Sequence, residues 1–332
     1  MSVFVTGGTG YIGQLLIQQL LQQSFCVQAL IRQPSKVPFQ HKNLIWYKGD
    51  ITDYNSVIKA MQGCEQAYHI AALVTLWEKD HHQFDIVNVY GTKNVLDAAV
   101  QNGVQRIVIT STGSVFGPSI KFPITENDPR TLSFFYEYER SKYEAEKLAR
   151  TYITKGLQPI MVNPTRVYGP GAATESNAVT KMIQLFMQDK WHFIPGDGET
   201  VANYAFVHDV VQGHIQAMQK GIAGECYLLG GENKSYNTFF NTLKQLTHSN
   251  KRLYKIPIGI IKNIAQFQLA MIALRLRKKP LFTTAFAKKQ RYNWAISCEK
   301  AITQLGYNIT AFEQGLQQTI SSIKKQQLSH AI

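Results

Sequence analysis

The chain predicts an α/β fold: a doubly wound parallel sheet followed by a smaller C-terminal α/β lobe. Three observations carry that prediction. Short β-branched runs alternate with helical periodicity through the first half, a glycine-rich turn joins the first strand to the first helix, and an apolar content of 45% over 332 residues is enough for a sizeable core. The larger lobe is expected over 1–165, with core elements continuing to about 230. The smaller lobe is expected over 166–325 and a frayed tail over 326–332, because the chain after Leu316 is polar and rich in Gln and Lys.

The elements justify themselves in order. Ser2–Thr6 is a strand-like run ending in Thr6-Gly-Gly-Thr-Gly-Tyr-Ile-Gly13, and the apolar positions Leu15, Leu16, Ile17 and Leu20 continue it as a helix. Strand, glycine turn and helix together let a backbone turn tightly and approach a pyrophosphate at the positive helix end. Gly7, Thr9, Gly10, Tyr11, Ile12 and Gly13 are therefore candidate dinucleotide ligands. The next strand, Cys26–Ile31, runs into Arg32-Gln-Pro-Ser-Lys36, where an NAD site usually places an acid for the ribose 2′-hydroxyl. Arg32 and Lys36 would instead pair with a 2′-phosphate, so NADP(H) is the expected cofactor and NAD(H) stays open.

A third strand at 44–47 leads to Gly49-Asp50-Ile51-Thr52-Asp53. Asp50, beside Ile51, is a candidate to receive an adenine amino group, and Thr52 or Asp53 is a helix cap. The fourth strand, at 66–70, runs into Ala71-Ala72, small enough for backbone to lie against a cofactor. His69 reads as a packed strand-end residue. Asn88 falls among apolar positions of a helix over 84–96, so its amide needs partners. Arg106–Thr110 then delivers Ser111-Thr112-Gly-Ser-Val-Phe-Gly117, placing hydroxyls at the end of a parallel strand, where open α/β sheets bind ligands.

Tyr138-Glu-Arg-Ser-Lys142 puts a phenol and an ammonium on one helical face. Such a pair is expected to draw the phenol down from about 10 towards the range of a general acid/base. A strand at 157–162 ends in Asn163-Pro-Thr-Arg-Val-Tyr-Gly-Pro170. Beyond it lie a strand and helix over 203–218, bearing His208, His214 and Met218, and a last strand near Tyr227. His208 reads as structural.

The net charge of +13 is concentrated, since residues 251–300 hold twelve Lys or Arg against one acid, Glu299. Within that segment, 256–276 is apolar but interrupted by Lys262, Asn263, Gln266 and Gln268, and Arg275, Arg277, Lys278 and Lys279 follow. It is expected to wall a substrate pocket, with peripheral membrane or acyl-carrier contact as the alternative. The four cysteines are far apart and show no metal or disulfide spacing, so no metal is expected. Met1 leads into the first strand without a signal-peptide pattern, and a cytoplasmic setting is the expectation. A small-molecule substrate, no nucleic acid, and a homodimer compatible with the fold complete the expected partners.

These motifs together resemble the extended short-chain dehydrogenase/reductase family, also called the NAD-dependent epimerase/dehydratase family. The resemblance spans essentially the whole chain and implies a Rossmann-type sheet. It rests on the glycine turn at 6–13, Gly49-Asp50, Ala71-Ala72, the hydroxyl motif at 111–117, Tyr138-x-x-x-Lys142 and the stretch 163–170. It implies that Tyr138 is the general acid/base, that Lys142 tunes it and holds the nicotinamide ribose, and that Thr112 is the catalytic hydroxyl, with Ser111 in reserve. Ser114 lies away from that register. Asn163 and Arg166 stand where sugar-nucleotide epimerases generally carry Arg and Asn. The wording N-P-T-x-V-x-G-P is instead similar to dihydroflavonol reductases and 3β-hydroxysteroid dehydrogenase-like reductases, which implies that Pro164 and Val167 border the nicotinamide. The expected function is thus NADP(H)-dependent hydride transfer to or from a ketone or secondary alcohol of an apolar or acyl-type substrate. The alternatives are a nucleotide-sugar epimerase or dehydratase with tightly bound NAD(P), and a nucleotide-sensing scaffold. The intact set Thr112, Tyr138 and Lys142 speaks against the scaffold.

Overall fold

The computed structural model describes residues 1–75, 77–120, 123–171, 177–274, 280 and 283–329. Seven parallel strands form the main sheet: β1 (Ser2–Thr6), β2 (Cys26–Ile31), β3 (Leu44–Lys48), β4 (Gln66–His69), β5 (Arg106–Thr110), β6 (Gln158–Pro164) and β10 (Cys226–Leu229). Their spatial order is β10-β6-β5-β4-β1-β2-β3, so the order reverses between β1 and β4. The crevice at that switch is where such sheets receive ligands.

The strands inside the sheet are buried on both faces, which is why they read as near-continuous apolar runs, whereas the edge strand β3 leaves Ile45 exposed. One face packs on α1 (Tyr11–Gln22) and α7 (Val207–Lys220) through Leu16, Ile17, Leu20, Val210, Val211 and Met218. The other is covered by α2 (Tyr54–Ala60), a short α3 (His82–Phe84) leading towards α4 (Gly91–Gln101), and α5 (Glu137–Thr151), with Val57, Val95, Leu96, Ala99, Ala149 and Tyr152 in the core. Asp53 caps α2, its carboxylate accepting from the Asn55 N–H, as one of the two expected capping residues.

The second lobe has its own aromatic core. A three-stranded sheet, β11 (Glu232–Ser235), β9 (Val201–Phe206) and β7 (Arg166–Tyr168), and a parallel pair, β8 (Phe193–Pro195) with β12 (Tyr254–Ile256), accompany α6 (Ala178–Met187) and α8 (Tyr236–Thr247). Tyr168, Phe186, Tyr204, Phe239, Phe240 and Phe312 pack at its centre. Three more helices follow: α9 (Ile258–Ala273), α10 (Thr284–Lys289) and α11 (Phe312–Ser329).

Three details differ from the sequence reading. β6 continues through Asn163 and Pro164 because Leu228 and Leu229 of β10 pair with them. The chain after Leu316 is helical to Ser329, since Leu316, Ile320 and Ile323 are buried in the small-lobe core, and residues 330–332 lie outside the described residues. Ile296, Cys298, Ala301 and Leu305, numbered within the second lobe, pack into the core of the first.

A hydrogen-bonded chain closes the switch point. The Ile70 and Ala71 N–H groups donate to Thr6 Oγ1, at 3.1 and 3.2 Å, and Thr6 Oγ1 meets His69 Nδ1 at 2.8 Å. His69 Nε2 meets Thr92 Oγ1 at 2.9 Å, and that hydroxyl donates to the Asn88 carbonyl. The Thr92 hydroxyl proton is committed, so Nε2 carries the imidazole proton and Nδ1 accepts from Thr6. Burial, with Lys142 adding to it, lowers the His69 pKa to about 3. His214 is likewise enclosed: its Nδ1 donates to the Val210 carbonyl at 2.7 Å, Thr110 Oγ1 meets Nε2 at 2.9 Å, and burial lowers its pKa to about 4.

Both histidines bind fewer protons folded than unfolded below their ordinary value of 6.5, so their contribution to stability is complete above 6.5 and lost as pH falls towards about 4 and 3. The melting temperature should therefore drop steadily below pH 6.5, with a shallower drop in His69→Gln and His214→Gln. A flat profile over that range would contradict the account.

Candidate active site

The glycine turn is shaped by close backbone approach. A Cβ on Gly7, whose φ is +72°, would lie 2.6 Å from the Ala71 nitrogen, and one on Gly13 would lie 2.2 Å from the Gly7 carbonyl oxygen. Side chains are excluded at both positions, so the start of α1 sits directly beside the loop after β4. A cavity of about 810 Å³ opens there, along the C-terminal ends of β1, β2, β4 and β5.

Most of the expected cofactor residues border this cavity: Gly7, Thr9, Gly10, Tyr11, Ile12, Arg32, Asp50, Ile51, Ala71, Ala72, Pro164 and Val167. Gly13 lies behind the turn and is buried. Lys36, on a short 3₁₀ turn at Pro34–Lys36, is exposed and does not border the cavity, unlike Arg32 at the end of β2. Lys142 is buried, at 1% exposure, beneath the cavity lining. The Asp50 carboxylate accepts from the Thr52 N–H and hydroxyl at 2.9 Å each, which orients it at the rim.

Thr112 and Tyr138 both line the cavity, with the Thr112 side chain near enough to the phenol to act on it as a hydrogen-bond partner. Ser111 lines it too, with a buried Oγ that has no partner among the described residues. Ser114 is turned away and accepts from Lys289 Nζ at 3.0 Å. A glycine cradle closed to side chains, free N–H groups at the start of α1, a large cleft and an orphaned hydroxyl fit a dinucleotide with its reactive ring near Tyr138. Among the described residues no group of three or more His, Cys, Asp or Glu is gathered as a metal would need.

The electrostatics depart from the expected phenol–ammonium pair. Burial raises the Tyr138 pKa above the ordinary phenol value, against the lowering effect of the Thr112 hydrogen bond, and Glu139 raises it further. Lys142 is drawn down to about 8 by burial, with Glu146 opposing. Sharing a helical face does not make the lysine the dominant influence on the phenol. Desolvation outweighs it, and both groups are pushed towards their neutral forms.

Several residues hold this arrangement, among them Glu139 and Glu146, which sequence patterning passed over, and Asn88, whose amide finds the partners it was expected to need. Asn88 lies in a π-helical turn, Asp85–Tyr90, and all its contacts are made: its Oδ1 accepts from the Leu73 N–H at 2.7 Å, and its Nδ2 donates to the Leu73 carbonyl and to Ser141 Oγ. It ties the loop after β4 to α5. Glu139, next to Tyr138, is buried between Arg130 Nη2 at 3.1 Å and Lys289 Nζ at 2.8 Å and also accepts from the Phe135 N–H. Asn163 donates to Glu146 at 2.7 Å, fixing α5 to β6. Arg166 donates to Tyr236 Oη at 2.9 Å and lies over the Tyr204 and Tyr236 rings, with no carboxylate partner among the described residues. The only sequence signal for Glu139 and Glu146 was an acid within a helix that otherwise reads as solvated.

With Lys142 protonated below about 8 and Tyr138 protonated well past neutrality, the site can donate a proton at neutral pH. Turnover should be level near neutrality and fall as pH rises through about 8, where the Lys142 charge is lost. Lys142→Met should remove that limb from the pH–rate profile; if the limb persists in the variant, it belongs to another group.

Comparison with known proteins agrees with the geometry. The chain is 29% identical to a dihydroflavonol 4-reductase-like protein of Synechocystis, over 94% of this chain and 92% of that one. It is 32% identical to sterol demethylase protein B of Methylococcus capsulatus, over 89% and 86% respectively. Its fold is similar to that of Thermus thermophilus UDP-glucose 4-epimerase solved in complex with NAD, with a TM-score of 0.78, 21% identity and coverage of 98% and 99%. The model of the NAD dependent epimerase/dehydratase family matches residues 3–230, which contain the glycine turn, the hydroxyl strand and the Tyr138–Lys142 helix, and the chain belongs to that family.

Proposed function

We propose that this family member is an NADP(H)-dependent oxidoreductase that moves hydride between the nicotinamide and a ketone or secondary alcohol of an apolar or acyl-type substrate. The observation that carries the reading is that Thr112 and Tyr138 line the dinucleotide cleft together, the threonine near enough to act on the phenol. The nicotinamide, when bound, supplies the hydride chemistry. Thr112 and Tyr138 hydrogen-bond the substrate oxygen, and in the reductive direction Tyr138 gives its proton to the developing alkoxide. Lys142, held at 1% exposure behind them, contributes positive charge to that oxygen's surroundings. Arg32 supports the NADP(H) preference, because it borders the cavity at the end of β2 where an NAD site would place an acid. An apolar substrate is supported by the likeness to the Methylococcus sterol demethylase protein.

Arg166 favours a second reading. A deep cation without a carboxylate partner among the described residues suits a diphosphate, as in a nucleotide-sugar epimerase or dehydratase with tightly bound NAD(P). Incubating the purified protein with NADPH and a panel of ketones, acyl thioesters and nucleotide sugars separates the two. NADPH consumption supports the first reading, and redox-neutral conversion of a nucleotide sugar replaces it with the second.

Two substitutions test the roles. Tyr138→Phe should lower turnover by about 10²- to 10⁴-fold while NADPH affinity, followed by fluorescence titration, stays nearly unchanged. Wild-type turnover in this variant would remove Tyr138 from the mechanism. Arg32→Glu should cut the preference for NADPH over NADH at least about tenfold, the value of one charge-assisted contact. Retained NADPH selectivity would show that Arg32 does not read the phosphate.

A further inference from the structure

Helix α9 (Ile258–Ala273) is apolar on two faces, and among the described residues one of them is packed and the other exposed. Ile261, Ala265 and Gln268 are turned inward, at 1%, 0% and 5% exposure. On the neighbouring face Ile260, Ile264 and Phe267 are 50%, 39% and 67% exposed, and Leu274, just past the helix end, is 69% exposed. At roughly 100° per residue these four fall within an arc of about 80°, so they form one stripe along a helix roughly 24 Å long. Single exposed apolar residues need no explanation, but an aligned stripe of four does.

The surroundings are basic. Arg252, Lys255 and Lys262 are exposed at the start of α9 and on its polar side, and Lys288 and Arg291 are exposed around α10. Arg275, Arg277, Lys278 and Lys279 follow Leu274 in the sequence and lie outside the described residues. No helix among the described residues is long and apolar enough to cross a membrane. An apolar stripe flanked by cations, on a helix that does not span, has the chemistry of an interfacial helix.

We propose that the outer face of α9 docks this protein on an anionic lipid bilayer, with Ile260, Ile264, Phe267 and Leu274 entering the headgroup–acyl boundary and the basic side chains contacting acidic headgroups. A second copy of the chain is the poorer occupant. Self-association through this stripe would set two segments against each other, each with twelve cations and one acid over residues 251–300. The docked face is linked to the catalytic helix, because α9 packs on α10, whose Lys289 grips Glu139 beside Tyr138. The bilayer is thus a source from which an apolar substrate can reach the site.

Vesicle co-sedimentation tests the proposal without requiring turnover. The full chain should sediment with phosphatidylcholine–phosphatidylglycerol vesicles at low salt, bind pure phosphatidylcholine much less, and be released as salt screens the cations. The double substitution Ile264→Asp/Phe267→Asp should lower the bound fraction about tenfold or more, since it puts charge into the apolar face. Its melting temperature and NADPH binding should stay unchanged, which separates lost docking from lost folding. Equal vesicle binding by the variant and wild type would overturn the proposal, as would absence of wild-type binding to anionic vesicles. A wild-type dimer that becomes monomeric in the variant, seen by sedimentation velocity, would overturn it in favour of the second copy.

Discussion

The position of Tyr138 depends on one buried carboxylate. Glu139 follows Tyr138 directly and is held between Arg130 and Lys289, the latter 150 residues away in sequence. Lys289 reaches Ser114 from the same ammonium and lies over the Trp294 ring, so a single small-lobe cation contacts the start of α5 and the hydroxyl turn after β5. Removing a partner from such a buried set leaves an uncompensated charge, at a cost of about 3–5 kcal/mol. The clamp therefore sets the orientation of α5 to the small lobe, and through it the placing of Tyr138 near Thr112.

The far half of the same helix is fixed differently. Glu146, buried on α5, accepts from Asn163 of β6, while Asn88 joins Ser141 to the loop that borders the cleft. A helix that looks solvated in sequence is thus tied to the sheet, the loop after β4 and the second lobe. Enclosure has an electrical consequence. Tyr138 and Lys142 are both biased towards neutrality, and His69 is kept uncharged by burial, with Lys142 adding to it. The site holds its proton on the phenol at neutral pH, which suits donation to a carbonyl oxygen.

The order of the main elements was legible because each rule behind it is local. Glycines at 7 and 13 report a backbone that must approach itself, and hydroxyls at the end of β5 report the sheet edge. Buried polar partnerships were not legible. Nothing in the pattern around Glu139 distinguishes it from Glu144, which makes an exposed helical pair with Lys147. Leu316 and Ile320 were similarly hidden: their spacing is helical, but the aromatic core that gives the last helix a reason to form is assembled from residues 168–240.

Sequence alone determined the parallel α/β lobe, the glycine cradle, and the candidacy of Thr112, Tyr138 and Lys142, since these rest on spacing within one or two turns of chain. Tertiary structure decided which of those residues line one cleft, that Arg32 borders it and Lys36 does not, and that burial is the largest influence on the phenol. It also decided that one apolar face of α9 stays outside the core. The reason is physical: burial and charge pairing depend on distances between segments far apart in the chain, and those distances exist only once the two lobes have packed.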